Sequence, residues 1–254
     1  VRTSTYSMNA APGGLWDASA RIYSLLNAEP NLGTLSWKFA SGARVRFSHL
    51  QYDQNVYDWK SSEIPLIEFD QLEDFTEVQF FYMLSRNRST CGIRPYIRGG
   101  CNPQPGWLAD FVSWWIDDET GYARPDRAGA IRWFVRIEDR IIWANTPDGF
   151  PVEAAGIPPK SVAFCPAKLT DNQALMRSDP GYLANLMAMC KVDRERLLGG
   201  NWKISDLSGA MIEQGWLRLV DVGPIRANYV RYWDKAGPPG AGDYSAGVLM
   251  RRDS

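Results

Sequence analysis

The chain has 254 residues, a net charge of −1, 45% hydrophobic residues and 22% charged residues. This ordinary globular composition supplies apolar matter for one large core or two smaller ones. It excludes a strongly basic nucleic-acid-binding tail, though not a local basic groove, and no apolar run reaches the about 18 residues of a membrane-spanning helix.

Cys91, Cys101, Cys165 and Cys190 form no C-x-x-C pair, and His49 is the single histidine, so a zinc site is not expected. Reduced thiols in a cytosolic compartment are the default reading. His49 lies in a strand-like run and reads as a packed residue. The 11 tryptophans are many for this length, and burial is preferred over stacking on bases. No apolar core follows Arg2, so the start does not read as a signal peptide.

In chain order, residues 1–13 are small and polar and read as a loop. Leu15, Ala18, Ile22, Leu25 and Leu26 have helical spacing. Asn27 to Gly33 is a turn-rich break. Thr34–Phe39 and Ala43–Leu50 alternate as strands around Ser41-Gly42, a β-hairpin signal. Gln51 to Ser62 is polar. Ile64 to Phe69 then forms a short apolar run, read as a buried strand ending on Asp70. Thr76 is placed to cap a helix that runs through Val78, Phe81, Tyr82 and Leu84 and closes at Arg86, Asn87 and Arg88. After the break at Cys91-Gly92, Tyr96–Arg98 is a short strand and Gly99-Gly100-Cys101-Asn102-Pro103 a turn. Trp107 to Ile116 returns to helical spacing. Strand, helix, strand and helix in this order predict a parallel sheet covered by helices.

Ala130–Ile137 and Arg140–Trp143 read as a strand pair, and Ser161–Pro166 as a further strand. Pro180–Met189 is a helix and Asp193–Leu198 a short second one, stopped by Gly199-Gly200. Residues 203–224 lack a period and read as a linker. Asn228–Asp234 and Tyr244–Met250 form a second hairpin around Gly237–Gly242, the expected start of another domain.

Asp70 is the first candidate for chemistry. A carboxylate at a strand tip can hold a water of the magnesium that bridges nucleotide phosphates; plain surface turns end the same way. Period-2 geometry puts Leu66, Glu68 and Asp70 on one face, where Glu68 reads first as a paired structural acid. Gln71 follows Asp70, where an acid would polarise the attacking water. An amide cannot take a proton near neutral pH. Either the base is Glu68 or Glu73, or hydrolysis is crippled, or Gln71 only orients water. Asn102 can contact a water or the terminal phosphate, or merely cap a turn before Pro103. Arg86, Arg88, Arg94 and Arg98 are phosphate candidates, or solvated surface arginines. Asp234, at the end of a hairpin strand, stands where a two-metal nuclease of the ribonuclease-H type holds its ions. No G-x-x-x-x-G-K-[ST] occurs, so this sequence contains no complete phosphate cradle.

Together, Phe69-Asp70-x-Leu72-x-x-Phe75-Thr76-Glu77-x-Gln79, Leu84-Ser85-Arg86-x-Arg88-Ser89, Cys101-Asn102-Pro103, Leu169-Thr170-Asp171-Asn172, Asp179-Pro180-Gly181-Tyr182, Leu197-Leu198-x-Gly200-x-Trp202, Trp233-Asp234-x-Ala236 and Gly242-Asp243-Tyr244-Ser245 resemble the large terminase subunit of tailed bacteriophages. The resemblance runs in order along nearly the whole chain. It implies an α/β fold: a P-loop-type parallel sheet with flanking helices, without its P-loop strand, then the first hairpin of a ribonuclease-H-like nuclease. Residues 1–202 would be the C-terminal part of the ATPase domain, 203–224 a linker and 225–254 the start of the nuclease. The P-loop is expected before residue 1, and most of the nuclease after Ser254.

The implied activity is an ATP-driven motor that packages viral DNA into a procapsid and cuts it. Asp70 would be the magnesium-side acid, Asn102 part of the motif coupling phosphate state to movement, and Asp234 the first nuclease metal ligand, with Asp243 in a matching motif. Implied cofactors are ATP with Mg2+ for the motor and Mg2+ or Mn2+ for the nuclease. Implied partners are double-stranded DNA, the portal protein, the small terminase subunit and further copies in a ring on the procapsid, in the host bacterial cytoplasm and not at a membrane. Gln71 departs from the family, which usually has Glu there. A helicase-like ATPase and a catalytically decayed prophage product acting as a structural module are the rival readings.

Overall fold

Alternation along Leu66–Asp70 decides how this strand sits. Ile67 and Phe69 are buried, whereas Leu66 and Glu68 are exposed and Asp70 is half-buried. In a computed structural model, which describes residues 1–2, 14–204, 228–234 and 246–252, this is the fourth strand of the chain. The chain divides into two units, Val1–Asp206 and Leu207–Ser254.

In the first unit, helix α1 (Leu15–Tyr23) leads to an antiparallel sheet of β1 (Glu29–Asn31), β2 (Ser36–Lys38) and β3 (Arg44–Arg46). Trp16 stacks on the buried Trp37 at 5.0 Å, and Trp37 Nε1 donates to Ser19 Oγ at 3.0 Å. A 3-10 helix, Asp53–Trp59, carries the chain to β4 (Leu66–Asp70). Helix α2 (Glu77–Arg86) crosses over to β5 (Tyr96–Gly100), which pairs with β4 in parallel from Leu66↔Tyr96 to Asp70↔Gly100.

The start of α2 follows from its first residues. Thr76 Oγ1 accepts from Gln79 N at 3.2 Å, and Gln79 Oε1 accepts from Thr76 N at 3.0 Å, a reciprocal capping box. The buried Gln79 also donates from Nε2 to Leu50 O at 3.4 Å.

Helix α3 (Trp107–Val112) continues as a 3-10 turn to Trp115. Then come β6 (Ile131–Ile137), β7 (Arg140–Ala144) and β8 (Lys160–Ala163), antiparallel in the order β7-β6-β8. Glu138 and Asp139, both at positive φ, close the β6–β7 hairpin, as a two-residue turn of the I′ kind requires. Three short helices follow: α4 (Gln173–Ser178), α5 (Tyr182–Met187) and α6 (Lys191–Arg194). A π turn then ends at Gly200, whose φ of 73° gives the left-handed stop expected at the Gly199-Gly200 pair. The core joins β4, α2, α3 and β6. Phe111 packs edge-on to Phe134 at 5.5 Å, and Trp115, wholly buried, donates from Nε1 to Ala130 O at 3.0 Å.

In the second unit, β9 (Asn228–Asp234) pairs antiparallel with β10 (Ala246–Arg252), with Asp234 opposite Ala246. The face of Gly247 lies under the Trp233 ring, 2.7 Å from where a Cβ would stand, so a larger residue displaces the indole. The turn Gly237–Gly242, Asp243 and most of the expected linker lie outside the described residues.

The fold is mixed α/β with a parallel two-stranded sheet. Several local expectations are corrected. Arg2 is not in a loop: it pairs with His49 as a parallel bridge. The turn-rich stretch after Asn27 holds β1, whose Pro30 is tolerated because β1 is an edge strand. Residues 51–62 contain the 3-10 helix. β4 is buried on one face only. β5 runs on through Gly99-Gly100, because a Cβ on Gly99 would stand 2.6 Å from Leu72 Cδ2. Gly99 marks close approach of the chain after β4, and neither glycine makes a turn. Helix α4 was not expected at all, although Asn172 Oδ1 accepts from Leu175 N at 3.0 Å as its cap.

Asn87, 7% exposed, closes the amino end of the parallel pair. Its Nδ2 lies within 2.9 to 3.1 Å of the carbonyls of Ile64, Pro65 and Tyr96. Replacing Asn87 by Ala removes the amide from these carbonyls, of which Pro65 O keeps its bond from Tyr96 N, and urea denaturation should show a loss of about 1–3 kcal/mol. An unchanged midpoint would mean that the amide does not hold the strands.

Candidate functional site

The parallel register brings the ends of β4 and β5 to one edge. Ligands of open α/β sheets bind outside the carboxyl ends of the strands. Asp70 and Gly100 are opposite each other there, and Gln71, Glu73, Cys101 and Asn102 follow directly in sequence.

Asp70 is met by a cation with no counterpart in the sequence reading. Arg2 Nε lies 2.6 Å and Nη2 2.5 Å from Asp70 Oδ2, a paired contact with both side chains partly exposed. The backbone delivers this guanidinium. Arg2 N donates to Ser48 O at 3.0 Å, Leu50 N donates to Arg2 O at 2.9 Å, and Asp70 N donates to Val1 O at 3.0 Å. Residues 1–2 therefore lie as a strip between the His49 segment and β4. No local pattern around Arg2 signals this, because Ser48, Leu50 and Asp70 are distant from it in sequence.

Gln71 is exposed and adopts φ 61°, ψ 62°. A non-glycine residue in this left-handed region costs roughly 1–2 kcal/mol. The conformation turns the chain sharply away from the strand into the 3-10 turn Leu72–Asp74. That turn is clamped at both ends: Leu72 packs on Gly99, and Phe75 packs on Phe69 at 4.9 Å while its carbonyl accepts from Trp107 Nε1 at 2.6 Å.

The clamp presents Glu73 to β5. Asn102 Nδ2 donates to Glu73 Oε1 at 3.0 Å, whereas Glu73 Oε2 is sealed from solvent without a hydrogen-bond partner. Beside them, burial pushes the Cys101 thiol up to about 11, with the Glu73 charge adding to the shift.

Glu68 does not join this edge. It faces its cross-strand partner Arg98 at 3.8 Å, an exposed pair that contributes little to stability. Arg98 also lies over the Tyr96 ring at 5.4 Å. Arg86 and Arg88 are at the other end of the sheet. Arg86 O accepts from Ile64 N, and Arg88 donates to the carbonyls of Ser61 and Ser62 at 3.1 and 3.2 Å. The length of β4, about 13 Å at the usual strand rise, separates them from Asp70. Arg94 is exposed and lines a groove of about 780 Å³ between β5 and β8. Asp234 holds the last position of β9, and Asp243 lies outside the described residues.

Among the described residues no group of three or more His, Cys, Asp or Glu converges to hold a metal ion. A single carboxylate is nonetheless the protein ligand set that magnesium takes when phosphate oxygens and water complete its shell. Asp70, half-buried at a strand tip, fits that partial role. No helix among these residues is long and apolar enough to cross a membrane. No family model, curated protein or solved structure matches the chain.

The thiols report on the packing of this edge. Cys101 stays neutral in the folded chain until about pH 11, whereas hydrogen bonding from Ser89 holds the exposed Cys91 below the usual thiol range. Thiolate is the reactive form. Brief alkylation near neutral pH, read by mass spectrometry, should label Cys91 well before Cys101. Equal labelling would show that the β5 end is open.

Proposed function

We propose that this chain carries the nucleotide-hydrolysing core of a large terminase subunit, the ATP-driven motor that packages viral DNA, joined to the first hairpin of its nuclease. The supporting observation is the parallel register that sets Asp70 opposite Gly100 and leaves Asn102 beside the acid's loop. In this reading Asp70 is the magnesium-side acid and would hold the metal's water in place of Arg2. Bound magnesium–ATP supplies the scissile phosphoanhydride and the charge that Asp70 answers. Gln71 can orient water but cannot take its proton near neutral pH.

The groove between β5 and β8 supports the same reading. Among the described residues each of these strands pairs on one edge only, and both line the groove above Leu108, Phe111 and Phe134. A further strand bearing the phosphate-cradling loop is proposed to lie there. Double-stranded DNA, the portal protein, the small subunit and a ring of copies are the proposed partners, with Asp234 as a nuclease metal ligand. A second reading, a module that has lost catalysis, is favoured by Gln71 together with the Arg2–Asp70 pair.

The test is DNA-stimulated ATP hydrolysis by the protein translated from the whole reading frame that contains these residues. Asp70→Asn should lower turnover by on the order of a hundredfold or more, since a charge-holding group of the transition state is lost. Parental turnover in Asp70→Asn would reject the hydrolase reading. A silent parent that gains turnover on Gln71→Glu would establish the second reading.

A further inference from the structure

Building on the hydrolase function proposed above, we infer that Glu73, and not Gln71, takes the proton of the attacking water, and that Asn102 positions its carboxylate. Three observations carry this. Glu73 is a carboxylate three residues after the strand-tip acid Asp70, in a turn fixed at Leu72 and Phe75. One of its oxygens is oriented by the Asn102 amide from the neighbouring strand end, at 3.0 Å. Its other oxygen is shielded and has no donor. Folded proteins rarely leave a buried polar atom unsatisfied; a catalytic role is one physical reason for such an atom, and Arg132 Nε and Arg136 Nε share this state among the described residues.

The left-handed conformation of Gln71 supports the assignment. Strained backbone is retained where the surroundings fix it, and it clusters at active sites. Here the strain turns the chain so that the acid two positions later, rather than the amide, faces β5. Glu68 lies two residues inside the strand and faces Arg98 across it, and no hydrogen bond ties it to Asn102.

In the step, a water oxygen forms a bond to the terminal phosphorus while Glu73 accepts one water proton. The bond from that phosphorus to the bridging oxygen breaks, and its electron pair leaves with ADP. The proton passes from Glu73 to solvent, which restores the carboxylate.

The experiment uses the whole-reading-frame protein with double-stranded DNA, measuring kcat and KM for ATP hydrolysis alongside binding of a fluorescent ATP analogue. Glu73→Gln preserves shape and the hydrogen bond from Asn102. It should lose on the order of a hundredfold to ten-thousandfold in turnover and bind the analogue as the parent does. Glu73→Asp keeps a carboxylate one methylene shorter, so it should be slower than the parent and faster than Glu73→Gln. Asn102→Ala should lower kcat with KM and analogue binding unchanged, a split that loss of a merely structural contact would not produce. If Glu73→Gln and Glu73→Asp both turn over at the parental rate while Asp70→Asn does not, the role of Glu73 is overturned and the hydrolase reading stands. If Asp70→Asn is also fully active, both fall.

Discussion

Parallel pairing of β4 with β5 is the constraint from which the other features follow. A parallel pair cannot be closed by a tight hairpin; it needs a crossover, and α2 supplies it. The crossover is fixed at its start by the Thr76–Gln79 box and at its end by Asn87, whose amide ties the residues leading into β4 to the first residue of β5. At the opposite end, Leu72 against Gly99 fixes how far the chain travels before it turns. With both ends fixed, the apolar faces of Ile67 and Phe69 have one way to meet Phe80, Phe111 and Phe134. The aromatic contacts of that core, several of them edge-to-face, favour one arrangement over a fluid cluster.

The same pairing sorts charge along the strand. Arg86 and Arg88 fall at the amino end, Arg88 on backbone carbonyls and Arg86 on Ser85 Oγ and the Tyr82 ring, while Asp70 and Glu73 gather at the carboxyl end. Glu68 and Arg98 neutralise each other between these ends. Negative charge therefore collects where the ligands of an open α/β sheet bind. Arg2 and Asn102 answer that charge in different ways: one forms an ion pair, the other a neutral hydrogen bond.

Local signals were legible in the sequence. The Thr76 cap, the helical face of α2, the β6–β7 hairpin and the left-handed stop after the last short helix each depend on a few adjacent residues. The strand-tip position of Asp70 and its nearness to the residues after β5 followed from the alternation of strands and helices. Contacts between distant residues were hidden. Nothing near Arg2 points to Asp70, and Asn102 and Glu73 meet only once β5 is in register. Arg86 and Arg88 looked like phosphate ligands because composition shows that they cluster, not at which end of a strand. Gly99-Gly100 resembled a turn because close backbone approach and left-handed freedom use the same residue.

Arg2 has a mechanical consequence. Its guanidinium meets Asp70 while residues 1–2 hydrogen-bond to the Ser48–Leu50 segment on one side and to β4 on the other. Along an extended strip, successive side chains alternate between faces, so sliding by a single residue carries the arginine to the opposite side of the sheet. The cover over the strand-tip acid therefore depends on the register of a neighbouring segment and not on any residue of its own strand.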